Sequence, residues 1–104
     1  MMTSQERAKL ISLSHSLKDL VFVGKEGLSA TVLQQINDNL YAHELIKIKV
    51  NKNVSMPITM LAREICDNCK CMLIGVIGSK ILVYKPTEKP DFAHLLDNYK
   101  YYVD

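Results

Sequence analysis

The chain has 104 residues, 48% of them hydrophobic and 23% charged, with a formal net charge of +2. That length bounds it to one domain with a single modest core, and the composition is that of an ordinary folded protein. No apolar run approaches the ~20 residues of a membrane span and no signal-peptide pattern opens the chain, so no membrane partner and a cytoplasmic setting are expected.

Thr3 to about Leu17 reads as a first helix. Thr3 and Glu6 have capping-box spacing, and Leu10, Leu13 and Leu17 fall on one face with Ile11 and Ser14 beside them. Leu20–Val23, an apolar run ended by glycine, predicts a buried first strand. Gly24-Lys25-Glu26-Gly27 then makes a G-x-x-G turn, and Ser29 is a good N-cap for a second helix running to about His43. Val32, Leu33, Ile36 and Leu40 form its buried stripe, Leu28 and Leu33 fit a hydrophobic staple, and Asn37, Asp38 and Asn39 face outward.

Leu45–Val50 alternates: Ile46, Ile48 and Val50 take one face, Lys47 and Lys49 the other, about 7 Å apart along the strand. Asn51–Ser55 is a polar loop. Pro57 belongs in the first turn of a third helix carrying Ile58, Leu61, Ala62 and Ile65 and ending near Asn68. Cys71–Ile77 and Lys80–Tyr84 predict a hairpin across Gly78-Ser79, a glycine-first pair suited to a type II′ turn. After Pro86 and Pro90 the pattern weakens. Asp91 can cap a short helix through Phe92, Leu95 and Leu96, or the segment is a mobile appendage.

The order α-β-α-β-α-β-β defines a single α/β domain. Strands one and two, joined through a helix, are expected to be parallel, and the hairpin completes a four-stranded mixed sheet. Charge is unevenly spread. Residues 1–85 carry eleven Lys/Arg against seven acids, and residues 86–104 two lysines against four acids. A basic body masked by an acidic tail suits a polyanionic partner.

Few arrangements suggest chemistry. Cys66-Asp67-Asn68-Cys69-Lys70-Cys71 lacks the second ligand pair of a structural zinc site, and His15, His43 and His94 have no ligand spacing, so no metal is expected. A redox C-x-x-C opens a helix, whereas Cys66 and Cys69 end one; the simpler role is small apolar packing by Cys66 and Cys71 with Cys69 incidental, and a redox function is the distant alternative. No nucleophile, base and orienting acid share a motif, so no catalysis is expected. Gly24–Gly27 lacks the P-loop pattern, and no cofactor or small-molecule substrate is expected.

The turn itself permits two readings. It can be a plain strand-to-helix connection in which glycine serves only the backbone. Alternatively, glycine admits a sugar-phosphate chain closely, the helix N-terminus offers N–H groups to an anion, and Lys25 adds charge. Lys47 and Lys49 are either the solvated face of a half-buried sheet or part of one phosphate-binding surface with Lys25, Lys80 and Lys85.

Four segments in order resemble the CRM domain (chloroplast RNA splicing and ribosome maturation) in its small bacterial YhbY-like form. They are Leu13–Lys18, Val21–Leu28, His43–Val50 and Val76–Pro86. The resemblance implies an α/β fold similar to the C-terminal domain of translation initiation factor three, with a KH-like G-x-x-G loop. It implies RNA binding, with ribosomal RNA in precursors of the large (50S) subunit as partner. Residues 1–86 would be the RNA-binding domain and 87–104 an acidic, tyrosine-bearing tail. Gly24, Lys25, Glu26 and Gly27 would form the backbone-binding loop, although Glu26 is an acid where a neutral residue is common. Lys47 and Lys49 match a basic second strand, Lys85 closes strand four, and Lys80 lies beside them. A general RNA chaperone, a translation-associated factor or a protein-interaction adaptor without RNA binding are the alternatives.

Overall fold

The computed structural model of the chain describes residues 2–103; Met1 and Asp104, included in the expected domain bounds, lie outside it. The elements are α1 (Ser4–Ser14), β1 (Asp19–Val23), α2 (Ala30–His43), β2 (Leu45–Val50), α3 (Ile58–Cys69), β3 (Met72–Ile77), β4 (Lys80–Tyr84) and a closing 3-10 turn, Tyr99–Tyr102. One four-stranded sheet has the order β1-β2-β4-β3. β1 and β2, linked through α2, are parallel, whereas β4 is antiparallel to both β2 and β3. Gly78 adopts φ +59, as the first central residue of a II′ turn requires.

Both faces of the sheet are covered, unequally. On one face α2 and α3 lay Ile36, Leu40, Leu61 and Ile65 against Val21, Val23, Ile46, Ile48, Ile81 and Val83. On the other, α1 and the C-terminal segment enclose a smaller core of Leu10, Leu45, Ile74, Leu82, Tyr84 and Leu96. Arg7 of α1 donates from Nη1 to the Leu73 and Ile74 carbonyls (3.1 and 2.6 Å), fastening the helix to edge strand β3.

Three expectations need correction. α1 stops at Ser14, about a turn early, because the Ser14 and Ser16 hydroxyls donate to the Ile11 and Leu13 carbonyls and the backbone tightens to i→i+3 bonds. Its buried face therefore runs through Leu10 and Ser14, and Leu13 is left exposed. β1 is not buried throughout: Val21 and Val23 point into the core, but Leu20 and Phe22 are exposed on this edge strand. The tail forms no helix through Phe92–Leu96. Asp91 instead takes φ +61 in a turn, Leu96 docks into the second core, and the helical turn comes later at Tyr99–Tyr102.

Candidate nucleic-acid interface

β1 delivers the Gly24–Gly27 segment as a closed turn. The Gly27 N–H donates to the Gly24 carbonyl at 3.0 Å, and Gly27 takes φ +81, a left-handed conformation that a Cβ would strain. Lys25 and Glu26 sit at the tip, both exposed. α2 begins directly behind them. The Ser29 hydroxyl accepts from the Val32 N–H at 3.1 Å, and no acid lies in the first helical turn, so Glu26 ahead of it is the acid nearest in sequence to the partial positive charge of the N-terminus. The N–H groups of Ala30 and Thr31 precede the first intrahelical bond and remain free to meet an anion.

The same end of the sheet gathers further charge. The Asn51 N–H donates to the Val23 carbonyl and the Val50 N–H to the Ser79 carbonyl, both at 2.8 Å, so the loop after β2 lies between the Gly24 turn and the β3–β4 hairpin. Exposed Lys49 and Lys52 flank that junction. Sequence patterning does not find Lys52, because a lone lysine in a polar loop carries no periodic signal. Only the two backbone bonds bring its loop to the end of the sheet where the Gly24 turn lies.

The eight residues named from sequence therefore divide. Gly24, Lys25, Glu26, Gly27 and Lys49 stand together at this end. Lys80 begins β4 opposite Lys49 and reaches across β2 to Asp19, Nζ to Oδ2 at 3.1 Å, a half-exposed pair that water and salt weaken. Lys47 shares the face of Lys49, but its Nζ turns inward and donates to the Leu17 carbonyl (3.1 Å) in the segment between α1 and β1. Lys85 donates to the Cys69 carbonyl (3.1 Å) at the C-terminus of α3, the end that a cation favours. Both ammonium groups are thus tied to backbone carbonyls.

At the opposite end of β2 stands Glu44, fully buried and at φ +66. Its carboxyl accepts from the Thr87 N–H (2.9 Å) and the Leu95 N–H (3.0 Å), and lies 2.6 Å from His94 Nδ1. The His94 ring stacks on Tyr99 with centroids 3.5 Å apart. This latch holds the acidic tail a strand length, roughly 17 Å, from Lys49 and Lys52. That separation exceeds the ~8 Å over which physiological salt screens charge, so carboxylates held beside the latch contribute little to the field at the basic end. Nothing in the sequence spacing announces a contact between residues 44 and 94.

The thiols lie elsewhere. Cys71 donates to Cys66 with the sulfurs 3.8 Å apart, which lowers the Cys66 pKa and, together with burial, raises that of Cys71; burial also pushes Cys69 up. No helix among the described residues is long and apolar enough to cross a membrane.

Fold and charge together define a small α/β module with one basic, turn-tipped end. The chain belongs to the CRS1/YhbY (CRM) domain family, whose model matches residues 2–85. It is 31% identical over 90 residues to a Pseudomonas aeruginosa protein named a probable RNA-binding protein, covering 86% of each chain. A Bacillus subtilis protein of the same description is 30% identical over 89 residues, covering 86% of this chain and 93% of its own. The solution structure of a hypothetical Staphylococcus aureus protein, described as a candidate RNA binder, superposes with TM-score 0.74 at 31% identity, covering 88% of this chain and 95% of that one.

Proposed function

We propose that this protein binds RNA through the Gly24–Gly27 end of the sheet and acts, without catalysis, in assembly of the large ribosomal subunit. The observation that carries the reading is the gathering of Lys25, Lys49 and Lys52 around a glycine turn and an acid-free helix N-terminus, while the acidic tail is latched at the far end. Glycine lets the RNA backbone approach, the free N–H groups of α2 receive a phosphate, and the lysines neutralise its neighbours. Such contacts give affinity and salt dependence with little choice of sequence. The family membership and the descriptions of its relatives support the RNA, and the CRM resemblance supports the ribosomal precursor. On this reading the protein works in the cytoplasm, with residues 1–86 as the binding domain.

Sedimentation of cell extract through sucrose, followed by crosslinking of the bound RNA, tests it. Co-migration with the large-subunit or precursor peak is expected, with crosslinks at Lys25, Lys49 or Lys52. A free pool that crosslinks to diverse RNA would reassign the protein as a general RNA chaperone, and absence of any RNA crosslink would defeat RNA binding altogether.

A further inference from the structure

The pairing register places Phe22, Lys49, Lys80 and Ile77 in one row that crosses all four strands on the α1 side of the sheet. From edge to edge the row spans roughly 14 Å. The adjacent row, with Lys47 and Leu82, is different: Ser14 and His15 at the end of α1 stand over it and enclose a recess of about 130 Å3. The same recess reaches Lys80 and Ile77 of the outer row, whereas Phe22 and Lys49 lie outside it. Phe22 is 54% exposed and Ile77 55%, so the row carries an open apolar side chain at each edge and two lysines between them.

We infer that the Phe22 ring is a stacking platform for an unpaired RNA base, held while the flanking phosphates lie on Lys49 and the Lys25 turn. The inference rests on the RNA-binding reading above and adds to it a ligand class, single-stranded rather than duplex RNA. Three observations favour a base as the occupant. Phe22 lies on β1 only two residues before Gly24 opens the turn, which sets the ring next to a nucleotide that reaches the turn. Lys49 is the direct cross-strand neighbour of Phe22, which sets a phosphate-seeking cation beside a π-face, the pairing that single-strand sites use. A second copy of the chain fits poorly, because a two-fold pairing of this row would bring Lys49 and Lys80 against their own counterparts. An unpaired base brings a flat apolar face and a negative backbone together, matching both halves of the row.

The test compares the full-length protein with its Phe22→Ala, Phe22→Leu and Phe22→Trp variants. The probes are a labelled single-stranded RNA of about 12 nucleotides and a duplex of the same length. The energy of stacking predicts that Phe22→Ala weakens single-strand binding by about 5- to 150-fold, with Phe22→Leu close behind because it keeps apolar area but no π-face. Duplex affinity and the salt dependence should stay at wild-type values. The chain has no tryptophan of its own, so Phe22→Trp supplies a single reporter whose emission should be quenched by the single strand and not by the duplex. The exposed position makes unfolding of Phe22→Leu and Phe22→Trp unexpected, and these two decide the matter if Phe22→Ala folds poorly. Undiminished single-strand affinity in the Leu variant, alongside weakened binding by Lys25→Ala, would overturn the platform while leaving RNA binding intact. Failure of the wild type to bind either RNA would overturn both. Loss of a dimer on Phe22 substitution, with RNA affinity unchanged, would reassign the row to self-association.

Discussion

Replacing Lys25 and Lys49 together by alanine should weaken RNA binding and its salt dependence, whereas replacing Lys47 or Lys85 should weaken the fold instead. Lys25 and Lys49 have no hydrogen-bond or ion-pair partner among the described residues, whereas Lys47 and Lys85 each donate to a backbone carbonyl at 3.1 Å. A tied ammonium must surrender that bond before it can reach a phosphate. Every phosphate that goes unneutralised lowers the slope of log K against log salt by about 0.7 on single strands and about 0.9 on duplex. Lys25→Ala/Lys49→Ala should therefore flatten the slope by about 1.4 and about 1.8 respectively. At roughly 1 kcal/mol per exposed charge pair, the double substitution should weaken binding by about 30-fold. Lys47→Ala and Lys85→Ala should leave the slope alone. Each instead removes a half-buried hydrogen bond, costing about 1 kcal/mol and lowering Tm by roughly 4–8 °C. Anisotropy titrations between about 50 and 200 mM salt, paired with thermal melts, separate the two effects. A Lys47→Ala slope as flat as that of Lys49→Ala would refute the division, and an unchanged slope in Lys25→Ala/Lys49→Ala would remove this end of the sheet as the phosphate surface.

Glu44→Gln sets an amide donor among three converging donors, so it should cost about 3 kcal/mol and release the tail to proteolysis; a cost under about 1 kcal/mol would mean that Leu96 and its neighbours hold the tail unaided. Tyr84→Phe removes a buried hydroxyl that has no partner among the described residues, and should raise stability by about 1 kcal/mol in thermal melts; a lower Tm would show the hydroxyl to be satisfied in solution. Alkylation by iodoacetamide should begin at Cys66, at a pH below that of an ordinary thiol, because the Cys71 S–H stabilises its thiolate; Cys66→Ser should erase the fast phase, and its persistence would refute the assignment. Glu26→Gln removes the acid at the tip of the turn and should tighten RNA binding by up to about fivefold at low salt, an effect that fades as salt rises; no change would mean that the bound backbone passes the turn on its other side.

Much of the fold is legible in the chain because its signals are local. Thr3 and Glu6 form the capping box that their spacing announces, Ser29 caps α2, and Gly78-Ser79 turns the hairpin. The Ile46, Ile48, Val50 alternation correctly assigns the two faces of β2. The α-β-α-β-α-β-β order yields the parallel β1–β2 pair and the mixed sheet. Local signals also mislead where two compete: the serines of Leu13-Ser14-His15-Ser16 unwind a helix that the leucine spacing would have continued.

Local sequence thus dictates the elements, their order and the glycine turn between β1 and α2, because each depends on residues only a few positions apart. Which lysines are free is settled by long-range packing. Lys47 meets a carbonyl thirty residues away, Lys85 one sixteen away, and the tail is anchored fifty residues from Glu44. Such contacts follow from how covered strands stack their ends together, and no short-range pattern encodes them. The exposure of Phe22 has the same origin: alternation put it on the face opposite Val21 and Val23, but only the packing of α1 over β2 and β3 left that edge strand uncovered.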